Sequence, residues 1–477
     1  MAAPEGGNVV GAKWVFKWKT NQFGDVTKAK ARLVAKGYSQ KEGVDYFEMF
    51  SLIPSSAAIR LVVSVALTKR LGLYHFDAEQ AFVQPQIDTE VFVKMPPGCG
   101  GMSGRVVQLN KSLYGIKQAA RSWHSFLVSK LTDHGFEKHE SEQCLLRLLD
   151  HRTGDVRMLL GVYVDDLIVA GSSEDCDWLR KTLSTHFPVN NLGPLTWYTG
   201  CSFERSEDGE TMKVVQTAYI DRLVGRFDVR GTSSSPASAA VKLRSREATD
   251  EETSRPYREA VGCLIWVANM SRPDIASSVR DVARHMSDPS EEHWTAVMRI
   301  LRFLKRTRTD GLILGKDCSS ELHVYADSNF ARDPEDRRSV SGAAIMFGGA
   351  AISWFSRVQT CVALSSSEAE YVALGDGVKE AMYIRSVLSF LEPGKGERTI
   401  VAHEDNVGAI HLANNPFSSS RSRHIDVRHH YVRRLVLENV VRVVYTCSKE
   451  QPADILTKPL DVESFNTHRG FLLNLKA

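Results

Sequence analysis

Asp165 and Asp166 stand side by side in LLGVYVDDLIVAG (residues 159–171), with an aliphatic, β-branched run on each side. Runs of that composition read as buried strands, so the two acids fall in a tight hairpin turn between them. Adjacent carboxylates there repel one another and lose hydration, which is costly unless a cation neutralises them. Oxygen donors with no nearby His or Cys favour Mg²⁺ or Mn²⁺. A polar turn is the ordinary reading of such a pair, because Asp is common in turns. Against it, this turn lacks Gly, Asn and Pro, and another apolar-flanked acid, Asp77 in LYHFDAEQAF, ends a strand-like run. Three carboxylates converging from two strands suit two-metal phosphoryl transfer, in which one ion activates a hydroxyl and the other clamps the leaving group.

A second set of acids lies near the C-terminus. Asp327 ends the strand-like LHVYAD, Glu368 and Glu370 open a helix in SSSEAEYVAL, Asp405 ends the strand of TIVAHEDNVGAI, and Asp454 opens a helix after VVYTCSKEQPA. Singly, each reads as an N-cap or surface acid. Together, at strand ends and helix starts of one α/β segment, they form a second candidate two-metal site.

The elements that must carry these groups are legible in outline. KWVFKWK (13–19) alternates like a half-buried strand, NQFGD (21–25) reads as a hairpin turn, and KARLVAKGYSQ (30–40) as the returning strand. AIRLVVSVALTKR (58–70) has helical periodicity with a basic last turn. LYHFDAEQAFV (73–83) starts as a strand and ends with helical spacing. The stretch 231–256 is rich in Ser, Thr and charge and reads as a linker. Three helical patterns follow, at 257–270, 274–286 and 291–307. From Gly311 strands return, then helices, which predicts a separate α/β domain.

Composition narrows the classes. With 477 residues, 43% hydrophobic and 25% charged, the chain is long enough for two to four domains and is not a disordered protein. Its longest apolar runs, such as LVVSVAL (61–67), are far short of a membrane span, and the N-terminus has no apolar signal-peptide core. Net charge is only +3, but residues 1–41 hold eight Lys/Arg against Glu5 and Asp25, and residues 421–434 hold five Arg and three His against Asp426. Local basic patches of this kind bind phosphates. The eight cysteines are scattered without CxxC spacing, which excludes a zinc finger or disulfide framework and fits a reducing compartment.

GVYVDD with Asp77 upstream resembles the palm of a reverse transcriptase. KARLVAKGYSQKEGVDY, LNKSLYGIKQAARSW, SRPDIA, ALSSSEAEYVAL and ADILTKPL match, in order, strings of the copia-type LTR-retrotransposon Pol polyprotein, over roughly residues 11–460. The resemblance implies an α/β and α+β multidomain chain. A right-hand polymerase comes first (fingers and palm at 1–230, linker and helical thumb or connection at 231–310), and an RNase H-like α/β domain follows at 311–477.

On the same resemblance, Asp77, Asp165 and Asp166 hold two Mg²⁺ (or Mn²⁺) in the polymerase site. Phe82 lies under the incoming sugar, and Tyr114, Gly115 and Tyr163 sit near the nucleotide. Lys19, Lys30 and Arg32 are the cations of the fingers that neutralise the triphosphate. Asp327, Glu370, Asp405 and Asp454 resemble the Asp-Glu-Asp-Asp set of RNase H, again with two metal ions. The family pattern has Ala three residues after its Glu, which Glu370 satisfies with Ala373 and Glu368 does not. Asp426 in RHIDVRHHYVRR competes with Asp454 for the last position. The basic MRILRFLKRTRT helix reads as a duplex-tracking surface.

The partners implied are an RNA template, a DNA primer, RNA–DNA hybrid and dNTPs, no membrane, and the other polyprotein products, integrase and capsid. The implied location is cytoplasmic, in virus-like particles. The chain departs from the family pattern at Ala120, at 83–85, at Asn190–Asn191 and at Asn329, none of which removes a proposed metal ligand. The alternative reading is a decayed or domesticated remnant that only binds nucleic acid.

Overall fold

The computed structural model describes residues 7–20, 26–49, 52–315, 321–332, 335–395, 397–415 and 426–475, with backbone alone at 19, 20, 27 and 426–430. The predicted 21–25 turn and much of the 421–434 basic run lie outside these residues. The chain forms two compact units. One comprises 1–54, 74–150 and 157–194, the other 55–73, 151–156 and 195–477.

In the first unit, Val9–Thr20 and Val26–Ala35 form a long antiparallel ribbon, with Val15 opposite Arg32 and Lys17 opposite Lys30. The short strands Phe92–Lys94 and Val106–Gln108 extend it on the Val9–Thr20 side. The alternation in KWVFKWK predicts a half-buried face, but the strand leaves Phe16 76% and Trp18 67% exposed. The returning strand stops at Ala35, and a 3-10 turn follows at Gly37–Ser39.

A six-stranded sheet makes up the rest of this unit, in the order Val189–Pro194, Gly72–Ala78, Asp166–Gly171, Val156–Tyr163, Leu145–Leu149, Glu137–Lys138. The helices Ala119–Asp133 and Ser173–Ser184 cover it. Trp123, Leu127, Leu131, Leu179 and Leu183 pack against Phe76, Leu160, Val162, Leu167 and Val169 in one core. Continuous apolar runs are what strands buried against helices require, and their burial contributes most of the stability here.

In the second unit, a five-stranded sheet runs Ala350–Val358, Val340–Phe347, Glu321–Asn329, Thr399–Glu404, Val441–Tyr445. The first three strands are antiparallel meander neighbours and the last two join in parallel. The 26-residue helix Ser366–Leu391 packs on this sheet. Gly377 makes that contact close, since a Cβ there would sit 3.0 Å from Val324 and 3.2 Å from Ala343.

The helix Ser56–Thr68 belongs to this unit and is apolar and buried nearly all round, with Lys69 and Arg70 beyond its end rather than in its last turn. Arg60 on it donates to the carbonyls of Ile352, Asn269 and Met270 and stacks over Trp354.

The expected helices appear at Tyr257–Met270 and Glu291–Arg306, whereas the pattern from 274 splits into a 3-10 turn, Pro273–Ile275, and Ala276–Ala283. The SRPDIA string is structural. Arg272 and Asp274 form a fully buried ion pair that Arg469 joins from the last helix at 3.0 Å. The stretch 231–256 has no regular element, yet it packs on the helices. Arg246 bonds Asp288 at 2.7 Å, the Arg244 carbonyl meets His293 at 2.9 Å, and Ser235 is buried. Arg299, Arg302 and Lys305 of the basic helix bond Ser235, the Arg230 carbonyl and the Val229 carbonyl. Those three cations are therefore engaged within the chain.

Candidate active sites

The first site is built by two neighbouring strands. Asp77 is the penultimate residue of Gly72–Ala78, and the next strand begins at Asp166. Ala78 N–H donates to the Asp165 carbonyl at 2.8 Å, which fixes Asp77 beside the hairpin turn. Tyr163 pairs with Asp166 across the hairpin, so the two-residue turn is Val164–Asp165. The sequence reading put both acids in the turn, whereas Asp166 starts the strand. The missing glycine is also explained. Val164 itself adopts φ +57°, a left-handed conformation that costs a β-branched residue on the order of 1–2 kcal/mol. Trp123 Nε1 donates to the Val164 carbonyl at 2.6 Å and holds the strained turn from the core.

Burial raises the pKa of Asp165, Asp166 and Asp77 add to the effect, and Arg32 opposes it. Arg32 lies over the Tyr114 ring at 5.4 Å, and its Nε is buried without a partner. Burial also raises the Tyr114 hydroxyl; Arg32 lowers it, and Asp165 and Asp77 push it up. Phe82, on the 3-10 turn Ala81–Val83, meets Tyr114 edge-to-face at 5.2 Å. Gly115 has φ +90°, and a Cβ there would lie 2.2 Å from the Ala35 carbonyl, so only glycine lets this loop lie against the ribbon. Lys30 shares the ribbon face of Arg32, one pleat away. The side chain of Lys19 lies outside the described residues.

Asp77, Asp165, Asp166, Arg32, Tyr114 and Phe82 are thus gathered in one place. The expectation of no nearby histidine does not hold. His75, two residues before Asp77 and on its face of the strand, places Nε2 2.8 Å from Asp166 Oδ1. The i, i+2 spacing in LYHFD carried that signal.

In the second unit, Asp327 lies near the end of its strand, Glu370 in the first turns of the long helix, and Asp405 just past Thr399–Glu404. One carboxylate oxygen from each lies within 4.8 Å of the others, the one group of three potential metal ligands that close among the described residues. Glu368 does not belong to it. It closes the helix start, its carboxylate accepting from Leu364 N at 2.7 Å while Ser365 Oγ accepts from Glu368 N at 3.1 Å. Asp454, on the short helix Asp454–Thr457, acts on Asp327 electrostatically, and Thr457 Oγ1 donates to Asp327 Oδ2. Asp426 opens the helix Asp426–Leu437, its side chain lying outside the described residues.

Burial pushes Asp327 up to about 8, with Asp454 adding to it. Burial pushes Glu370 up to about 10, with Asp327, Glu404 and Asp405 adding. Two groups here escaped the sequence reading. Lys458 sits 2.9 Å from Asp454, one helical turn on. Glu404 is fully buried, its Oε1 accepts from Asn406 N at 3.0 Å, its Oε2 has no partner, and burial pushes it up to about 8. Adjacency to Asp405 hid Glu404, since only one of two neighbouring strand residues normally faces inward. Buried, mutually repelling carboxylates with an orphaned oxygen are a donor set that a hard divalent cation would stabilise.

The family model for reverse transcriptase (RNA-dependent DNA polymerase) matches residues 1–239. Over 473 residues the chain is 34% identical to the retrovirus-related Pol polyprotein from transposon TNT 1-94 of Nicotiana tabacum, covering 97% of this chain and 35% of that protein. It is 36% identical over 464 residues to the Pol polyprotein from transposon RE1 of Arabidopsis thaliana, covering 96% of this chain and 31% of that protein. The chain therefore spans about a third of the length of these curated relatives. Among solved structures, LC11-RNase H1, isolated from compost, aligns with 31% of this chain and 98% of its own at 13% identity and TM-score 0.23. Among the described residues, no helix is long and apolar enough to cross a membrane.

Proposed function

This chain belongs to the reverse transcriptase (RNA-dependent DNA polymerase) family, and from that premise we propose that it is the polymerase and RNase H portion of a copia-type retrotransposon Pol polyprotein. Residues 1–230 carry fingers and palm and extend a DNA primer on an RNA or DNA template. The 231–310 stretch serves as linker and thumb or connection, and the α/β portion at 311–477 cleaves the RNA strand of RNA–DNA hybrids. The observation that supports this most directly is the Ala78–Asp165 backbone bond, which sets Asp77 beside Asp165 and Asp166 on adjacent strands with Arg32 facing them.

In the palm, Asp77, Asp165 and Asp166 would hold two Mg²⁺ or Mn²⁺, which supply charge neutralisation and activation of the primer hydroxyl. Arg32, with Lys30 and Lys19 along its strand pair, draws the triphosphate toward the acids. Phe82, braced by Tyr114, forms a rigid wall under the nucleotide sugar, and Gly115 lets the Tyr114 loop approach. The primer 3′ oxygen bonds to the α-phosphorus, the bond to the β-phosphate oxygen breaks, pyrophosphate leaves and the hydroxyl proton passes to solvent. His75 holds Asp166 in orientation.

Asp327, Glu370, Asp405 and Asp454 would hold the second pair of cations. Thr457 orients Asp327, while Lys458 offsets the charge of Asp454. Template, primer, hybrid and dNTPs are the partners this reading requires, with integrase and capsid as products of the same polyprotein in virus-like particles. The test is separation of activities. Glu370→Gln abolishes hybrid cleavage and keeps primer extension, whereas Asp77→Asn does the reverse. Loss of both activities in both variants would contradict the two-site reading.

A further inference from the structure

His134 and His186 stand at the ends of the two helices that cover the six-stranded sheet. His134 caps Ala119–Asp133, and His186 lies two residues past Ser173–Ser184. Both residues are exposed, and their Nε2 atoms face each other at 3.2 Å. Neither takes part in the acid sites described above. From this pair we infer that the first unit carries a surface site for a divalent transition metal of the Zn²⁺ class, held by one imidazole from each helix end.

Spacing is the first reason. Zinc takes imidazole nitrogen at about 2.0–2.1 Å, so two nitrogens on one tetrahedral ion lie about 3.3 Å apart. The observed 3.2 Å matches that bite and sits at the long end for a hydrogen bond. The ring centroids are 5.5 Å apart, so the rings meet end to end rather than stacked, and a small tilt points both lone pairs at one ion. Anchoring is the second. Gly135, at φ +89°, ends the first helix, and the buried Phe136 donates its N–H to the Leu131 carbonyl at 3.1 Å. Past the second helix, the buried Phe187 donates to the Leu183 carbonyl at 3.1 Å and meets Trp123 of the first helix edge-to-face at 5.0 Å. The backbone of both histidines is thus fixed before any ion arrives, and little ordering entropy opposes binding. Charge is the third. The C-terminal ends of both helices converge here, and the partial negative charge of their last carbonyls favours a cation. The neighbouring Lys130 and Asp133 pair with one another at 3.4 Å and leave no net charge. Among the described residues no third Cys, His or carboxylate closes on the pair, so water completes the coordination and the site is weaker than a closed four-ligand one. Imidazole nitrogen selects Zn²⁺, Cu²⁺ or Ni²⁺ over Mg²⁺, which sets this site apart from the carboxylate clusters.

The test is metal binding by the full chain, read without turnover. Zn²⁺ is titrated calorimetrically in excess Mg²⁺, which fills the carboxylate clusters, and the Cu²⁺ adduct is read by EPR. Removing even an outer-shell partner of a metal costs about 10–100-fold in affinity, so His134→Gln and His186→Gln each weaken one Zn²⁺ equivalent by at least about tenfold. The two-nitrogen hyperfine pattern of bound Cu²⁺ falls to one nitrogen in either variant. Zn²⁺ raises the melting temperature of the parent but not of the variants, whose melting in Mg²⁺ alone matches the parent and shows the fold intact. Equal Zn²⁺ affinity in the parent and both variants overturns the inference. So does loss of that equivalent in His323→Gln with His134→Gln unaffected, since the ion would then sit at the second unit's His323–His403 pair, 3.1 Å apart.

Discussion

His75 Nε2 and Asp166 Oδ1 lie 2.8 Å apart, joining the strand that carries Asp77 to the strand that begins with Asp166. His75 is itself only 13% exposed, so the contact is shielded from water on the histidine side. A group that orients a metal-binding carboxylate typically alters affinity or activity by 10–100-fold. His75→Ala is expected to lower single-nucleotide incorporation by about tenfold, with His75→Gln recovering part of it and the far-UV spectrum unchanged. Steady-state incorporation kinetics on a short primer–template check this.

Asp274 is buried between Arg272 and Arg469, and its carboxyl is held below the usual range although burial itself opposes that. Removing it strands two guanidinium groups, so Asp274→Ala should cost about 3–5 kcal/mol of stability. A folded pKa below the unfolded one means the contribution is present above the unfolded value and is lost as pH falls through the folded one. Denaturant melts at pH 7 and pH 3 should show the gap between variant and parent narrowing in acid.

The acids of the second unit behave oppositely. Glu370 is raised from 4.5 to about 10 and Asp327 from 3.8 to about 8, so between these limits the folded chain holds more protons than the unfolded one. Stability without divalent cation therefore falls as pH rises from about 5 to 8. Mg²⁺ or Mn²⁺ should raise the melting temperature more at pH 8 than at pH 6, and Glu370→Gln should flatten the difference. Thermal melts with and without the cation measure it.

Val164 occupies a left-handed conformation in the turn of the hairpin that carries Asp165 and Asp166, at φ +57°. Val164→Gly removes strain worth about 1–2 kcal/mol and adds back about 0.5–1 kcal/mol of chain entropy. The variant should be as stable as the parent or slightly more so, yet polymerise more slowly because the turn is no longer rigid. Comparing the melting temperature with the incorporation rate tests both halves.

How much of this was written in the sequence differs from element to element. The strands of GVYVDDLIVA are plain because continuous apolar runs have one favourable fate in a sheet covered by helices, and that of LHVYAD because its buried residues alternate with half-buried ones. The exclusion of Glu368 needed the structure, since capping and metal binding both place acids in a helix's first turn. The spacing in LYHFD puts His75 on the face of Asp77, but its pairing with Asp166 shows only once register is known, and the helix that sets Lys458 one turn from Asp454 is too short to show a period. The exposure of Phe16 and Trp18 was misread because alternation reports two unlike faces but not which one, if either, is buried. The segment 231–256 read as a linker because its contacts are made by charged side chains and carbonyls, which leave no hydrophobic period.

The most direct measurement is primer extension on an RNA template with dNTPs and Mg²⁺ or Mn²⁺, run beside Asp165→Asn. The account predicts extension by the parent chain and a loss of at least a hundredfold in the variant, roughly the scale of removing a group that acts only in the transition state. Equal extension by the two proteins would contradict the assignment of Asp165. No extension by a folded parent chain that still binds hybrid would instead identify it as a nucleic-acid-binding remnant.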